Sequence, residues 1–127
     1  MAERERMTRS VKKDGVVVVS FLATHVGVDT EHQLRQELHE HIQEEQRPQV
    51  LVDLSGVSYV SSGPLGVLTA IERDVSERKG GLVFCSVSAY VLETFRAAGL
   101  LRLFAVYQTC EEAMDSFTES SASTTSL

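Results

Sequence analysis

Apolar residues in this chain fall into short β-branched runs separated by longer stretches in which they recur every third or fourth position. The first firm run, VVVVSFL at Val16 to Leu22, is continuous enough to be buried on both faces of a sheet. Ahead of it, MTRSVKK can add an edge strand before a turn at Asp14-Gly15, and ATHVGVDT after it reads as a connection. Leu34, Leu38, His41 or Ile42, and Glu45 then recur at helical spacing, predicting a helix from Glu31 to Glu45. Thr30 and Gln33 have the spacing of a capping box at its start, and Arg47-Pro48 ends it.

The same alternation repeats three more times. QVLVDL, Gln49 to Leu54, is a second buried strand, followed by GVSYVSSGP and a helix over Pro64 to Arg78 with Leu65, Leu68, Ile71 and Val75 on one side. Arg73 with Glu77 and Asp74 with Arg78 are opposite charges at i,i+4 on its wet side. Lys79-Gly80-Gly81 supplies a left-handed stop. A third strand covers Leu82 to Ser86, Ser88 caps a helix that buries Val91, Leu92, Phe95 and Ala98, and Gly99 stops it. A short strand near Phe104 to Tyr107 leads to a second capping box, Thr109 with Glu112, and a last helix to Glu119.

Strand and helix thus alternate four times, which implies an α/β domain whose sheet has substantial parallel pairing. The length suits one domain: an N-terminal segment over 1–12, a folded unit over 13–119, and a tail over 120–127 too polar to fold. The final Thr125-Ser126-Leu127 superficially fits a C-terminal peptide ligand, on three residues only. The charged start, MAERERMTRS, lacks the apolar core of a signal peptide, and no apolar run is long enough to span a bilayer, so a cytoplasmic address is expected. Twelve Lys and Arg against eighteen Asp and Glu give a net charge of −6, which argues against nucleic acid as a direct partner.

Candidate chemistry is sparse. Cys85 and Cys110 lack metal-type spacing, and Cys85 within LVFCSV reads as a small buried hydrophobe or, alternatively, a free thiol. His39 and His41 diverge on their helix and cannot share a metal, and Glu37 with His41 reads as a helical ion pair. His25 and Asp29 lie close in a loop without a third group for acid–base work. The KGG run is too short to cradle a phosphate. No catalytic set, metal site or cofactor is therefore expected.

One corner stands out: YVSSGPLGVL, Tyr59 to Leu68, sets two serines between a strand and a helix. Pro64 suits a first helical turn, making Gly63 the expected cap and leaving the hydroxyls of Ser61 and Ser62 just before the helix. The bland reading is that one hydroxyl caps the helix. The alternative is a phosphorylation site, since the free N–H groups and dipole of a helix start favour an anion. A nucleophile elbow is excluded, because neither serine has glycine two positions away on both sides.

Taken in order, VLVDLSGVSYVSSGPLGVL and RKGGLVFCSVSAYVLETFRAAGLLRLFAVYQTCEEAM resemble a bacterial STAS domain of the anti-sigma factor antagonist type. The resemblance is strong from Gln49 to Phe117 and compatible from Gly15 to Glu45. It implies a single STAS-type domain with a four-to-five-stranded mixed sheet and about four helices mainly on one face. It also implies a binding module rather than an enzyme, whose corner serine is phosphorylated by a partner that is both serine kinase and anti-sigma factor, and restored by a phosphatase. Laid on the family's Asp-Ser-Ser/Thr-Gly-Leu-Gly corner, Ser62 takes the phosphorylated position, with Ser61 the lesser choice. Ser61 itself stands where the family has Asp, and THVGVDT replaces its Gly-Glu-Leu-Asp segment. The implied partner-binding residues are Asp29, Thr30, Ser61, Ser62, Gly63, Pro64 and Leu65. Two other readings are a non-phosphorylated STAS scaffold and a small α/β ligand-binding protein or enzyme with a pocket at the strand ends.

Overall fold

In the computed structural model, which describes the backbone of residues 5–125 and side chains through Thr118, the β-branched run forms β2, Val16–Phe21. β1, Thr8–Lys13, pairs with it antiparallel across the Asp14-Gly15 turn, where both residues take positive φ. β4 (Gln49–Asp53) lies parallel to β2 on its other side, β6 (Gly81–Cys85) parallel to β4, and β7 (Ala105–Tyr107) parallel to β6. The result is a five-stranded mixed sheet in the order β1-β2-β4-β6-β7. Two short strands missing from the sequence reading, β3 (His25–Val26) after β2 and β5 (Tyr59–Val60) after β4, pair parallel in a separate two-stranded ladder.

Four helices cover the sheet: α1 (Glu31–Ile42), α2 (Ser62–Glu77), α3 (Ala89–Ala97) and α4 (Cys110–Thr125). The first three build the main core on one face, where Val17, Val19, Val50, Val52 and Phe84 meet Leu34, Leu38, Leu68, Ile71 and Phe95. α4 alone covers the other face, over Val16, Leu51 and Val83 through Ala113, with Met114 and Phe117 packed alongside. It runs past Glu119 into the segment read as a tail. Once a helix is nucleated each further residue adds a hydrogen bond, and Ala, Ser and Thr oppose this only weakly. Ser126 and Leu127, with them the C-terminal ligand motif, and residues 1–4 lie outside the described residues.

Several local expectations change where tertiary partners compete. Thr30 and Gln33 form no capping box: a short 3-10 turn, Val28–Thr30, precedes α1, the Thr30 hydroxyl donates to the Gly27 carbonyl at 2.7 Å, and Gln33 donates to Glu37. Thr109 and Glu112 do form theirs, with Glu112 N–H donating to Thr109 Oγ1 at 3.1 Å. The left-handed residue after α2 is Lys79, φ 63°, rather than either glycine. Gly80 is required for a different reason, since a Cβ there would run into the backbone of Pro48. Asp74 and Arg78 pair at 3.4 Å, and Arg78 also donates to the carbonyls of Ile42, the last residue of α1, and Glu45 beyond it. Cys85, fully buried as expected of a small hydrophobe, is not a free thiol. It is disulfide-bonded to Cys110 with a Cα–Cα distance of 5.2 Å. A separation of 25 residues leaves no trace of that pairing in the sequence.

Glu37 is the most consequential correction. Instead of pairing with His41, its carboxylate, 4% exposed, accepts from Met7 N–H, Thr8 N–H, the Thr8 hydroxyl at 2.5 Å and Gln33 Nε2 at 2.7 Å. His41 Nε2 meets the same Thr8 hydroxyl at 2.9 Å. Burial alone would raise the Glu37 pKa, but these hydrogen bonds to the ionised form outweigh it and hold the group below its ordinary value. The carboxylate thereby fastens the start of β1 to α1. Because the folded-state pKa is depressed, this stabilisation is complete above the unfolded value of about 4.3 and is lost as pH falls through the folded one. Glu37→Gln is expected to cost about 1–3 kcal/mol at pH 7, through donors left without a charged acceptor, and to flatten the loss of stability as pH falls below the unfolded value of about 4.3. Urea unfolding from neutral pH down through that value checks both, and an unchanged acid limb would refute the assignment.

Candidate functional site

The serine corner is built from the carboxyl end of β4 outward. Asp53 Oδ1 accepts the N–H of Ser55 at 2.9 Å and turns the chain, and Gly56, φ 87°, completes the reversal. Ser58 N–H then donates to the Thr24 carbonyl at 2.8 Å, β5 pairs with β3, and Ser61 N–H donates to the Val26 carbonyl at 2.9 Å. These long-range bonds seat the corner on the segment that follows β2.

α2 begins earlier than the proline suggests. Ser61 is the cap residue, extended at φ −85° and ψ 174°, and Ser62 is the first helical position. Pro64 still falls within the first turn, where its missing N–H is no loss. The two serines now differ sharply. Ser61 Oγ is buried, makes no hydrogen bond and does not cap, whereas Ser62 is exposed. Pro64 and Leu65 are buried and anchor the helix.

Around the corner the structure gathers residues from five other elements. The 3-10 turn carrying Asp29 and Thr30 lies against α2, with Val28 at 70% exposure standing out from it. From the start of α1, the Glu31 carboxylate reaches over Gly63, so that a Cβ at Gly63 would meet Glu31 Cδ at 3.2 Å. A carboxylate is thus held at the positive end of α2, with Arg35 3.7 Å from its other oxygen. On the far side, His25, Tyr59 and Tyr90 form an aromatic row with centroid separations of 5.9 and 6.4 Å. Tyr59 is 38% exposed and Tyr90 62%.

Glu31, Val28, Tyr59 and Tyr90 escaped the sequence reading. For Val28, Tyr59 and Tyr90 the only signal was apolar or aromatic character out of phase with the buried set, as in Tyr90 beside Val91 on α3, and Glu31 carried none. His25 stacks on Tyr59 and its Nδ1 lies 3.3 Å from the Thr24 hydroxyl, within an aromatic row rather than an acid–base pair. A surface groove of about 840 Å³ opens elsewhere, at the amino ends of β2, β4 and β6. No helix among the described residues is long and apolar enough to cross a membrane.

The arrangement matches known proteins closely. BtrV of Bordetella bronchiseptica, described as a candidate anti-sigma factor antagonist, is 29% identical over 106 residues, covering 84% of this chain and 90% of that protein. An anti-sigma-factor antagonist (STAS) domain protein from Planctomyces limnophilus superposes with a TM-score of 0.79 at 25% identity, over 86% of this chain and 95% of that one. The Bacillus cell-fate determinant SpoIIAA, solved in its phosphorylated form, shares the fold at 17% identity, with a TM-score of 0.65 over 87% of this chain and 98% of that one. A family model for the STAS domain matches residues 7–113, from the residue before β1 to the first turn of α4, and the chain belongs to that family.

Proposed function

We propose that this chain is an anti-sigma factor antagonist switched by phosphorylation of Ser62. Unphosphorylated, it binds in the cytoplasm to an anti-sigma factor that is also a serine kinase; phosphorylated, it is released until a phosphatase removes the group. The observation that carries this reading is the contrast at the corner. Ser62 presents its hydroxyl to solvent at the start of α2, while the Ser61 hydroxyl is enclosed. The names of the BtrV and Planctomyces relatives support the antagonist role, and the phosphorylated SpoIIAA supports phosphate chemistry on this fold.

Glu31 gives the reading its local mechanism. It places beside Gly63 the carboxylate that this sequence lacks at Ser61, so the corner keeps an acidic neighbour from a different element. Phosphate on Ser62 would add about −1.5 to −2 charges next to it, and a close interface lacking Arg or Lys at that point would lose affinity through repulsion and desolvation. Val28, Tyr59 and Tyr90 supply apolar contact around the serine, and Asp29, Thr30 and Gly63 its polar rim.

Incubation with the serine kinases of the source cell, followed by phosphate mapping by mass spectrometry, is the direct test. A single phosphate on Ser62, absent from Ser62→Ala and retained in Ser61→Ala, is the expected outcome. A protein that binds its partner yet takes no phosphate from any of them would instead be a constitutive scaffold.

A further inference from the structure

On the face of the sheet opposite the main core, three groups converge whose meeting the sequence does not foreshadow. Cys85 ends β6 and is 0% exposed, Cys110 opens α4 and is half-buried, and Asp53 ends β4 in register with Cys85. Their sulfur and carboxylate atoms all lie within 4.8 Å of one another. The Cα atoms of the cysteines, 5.2 Å apart, fall within the roughly 4.4–6.8 Å span that a disulfide bridges without backbone movement.

We propose that Cys85 and Cys110 form a reversible redox site, exchanging with small disulfides such as glutathione disulfide, and that their bond staples the start of α4 to the sheet. Unequal exposure sets the order of events. Cys110 is the sulfur that a solvent-borne reagent reaches, so its thiolate attacks one sulfur of glutathione disulfide, forming a mixed disulfide and expelling one glutathione thiolate. Cys85 gives up its proton toward the Asp53 carboxylate, and its thiolate attacks the Cys110 sulfur, expelling the second glutathione. Two protein thiols are oxidised, one glutathione disulfide is reduced to two glutathione thiols, and the two protons end on those thiols. Excess glutathione runs the same steps backwards.

The fold tolerates both states, because the two faces of the sheet are packed separately. The main core under α1, α2 and α3 contains neither cysteine. On the other face, Ala113 packs on Leu51 and Val83, with Met114 and Phe117 beside it, and this contact holds α4 when the bond is open. Reduction therefore loosens one helix while the rest of the domain stands. Ser86, adjoining Cys85, takes φ 58° and donates its N–H to the Tyr107 carbonyl at 3.3 Å, so the β6 end of the staple is also fixed by backbone bonding.

The test equilibrates the full chain with glutathione buffers of graded oxidation and reads thiol count, intact mass and melting temperature. Expected are the joint loss of both thiols, a monomer lighter by two hydrogens, and a melting temperature about 10 °C lower when reduced. In Cys85→Ser, which cannot resolve, a glutathione adduct should accumulate on Cys110. In Cys110→Ser, the buried Cys85 should stay unmodified. The site is refuted if both thiols persist in oxidising buffer, or if bonds form only between molecules. It is refuted equally if the reduced protein takes up stoichiometric zinc on Asp53, Cys85 and Cys110 and thereafter resists oxidation. None of these readings depends on Ser62.

Discussion

Ser62→Asp is expected to lower affinity for the anti-sigma factor by about a hundredfold, close to 3 kcal/mol, while Ser62→Ala binds like the wild type. The introduced carboxylate would stand at the first position of α2, beside the Glu31 carboxylate already held over Gly63. In water two such charges repel weakly, but at an effective dielectric of about 20 a pair some 5 Å apart costs about 3 kcal/mol. The same pair in the free domain is hydrated, so most of the penalty falls on the complex. Glu31→Gln should therefore recover part of the affinity that Ser62→Asp loses. Calorimetric titration of the four proteins into the partner measures the coupling directly. Equal binding by wild type, Ser62→Ala and Ser62→Asp would sink the switch.

Phe95→Ala is expected to remove about 3–5 kcal/mol of folding stability. Phe84, Phe95 and Phe104 close a triangle with centroid separations of 4.6 to 5.5 Å, joining β6, α3 and the residue before β7. Phe95 and Phe84 are 0% exposed and Phe104 3%, so truncating the middle ring leaves a cavity that backbone from three elements cannot easily fill. Against a total of about 5–15 kcal/mol, the loss brings the domain near its unfolding threshold. A fall in the urea midpoint at constant m-value is the signature, and a loss below about 1 kcal/mol would mean that the triangle repacks.

The main sheet and its helices were legible because each carries its own period. β2, β4 and β6 are β-branched or apolar runs, broken between buried positions only by Ser20 in β2, and Leu34, Leu38 and Ile42 keep helical phase whatever surrounds them. Ser88 and the Thr109–Glu112 pair found the partners their spacing promised, since no competing group reaches them. Thr30 and Gln33 did not, because Gly27 and the buried Glu37 offered other partners. The serine corner could be located from sequence, but not the difference between its hydroxyls. Pro64 is tolerated anywhere in a first turn, which leaves the cap anywhere from Ser61 to Gly63, and that interval holds both serines. β3 and β5 are two residues each, too short for any period. Glu31 over Gly63 and Cys85 beside Cys110 are meetings of distant segments, which local pattern cannot report.

The ladder between β3 and β5 bears on what kind of substrate the serine is. Ser58 and Ser61 are fastened by backbone hydrogen bonds to Thr24 and Val26, more than thirty residues away, and the Glu31 carboxylate arrives from yet another segment. Excised as a linear peptide, Tyr59 to Leu68 would keep its letters and lose every one of these constraints. A kinase acting here would read a shape rather than a consensus string, so scanning proteomes for the motif would find few of its true targets.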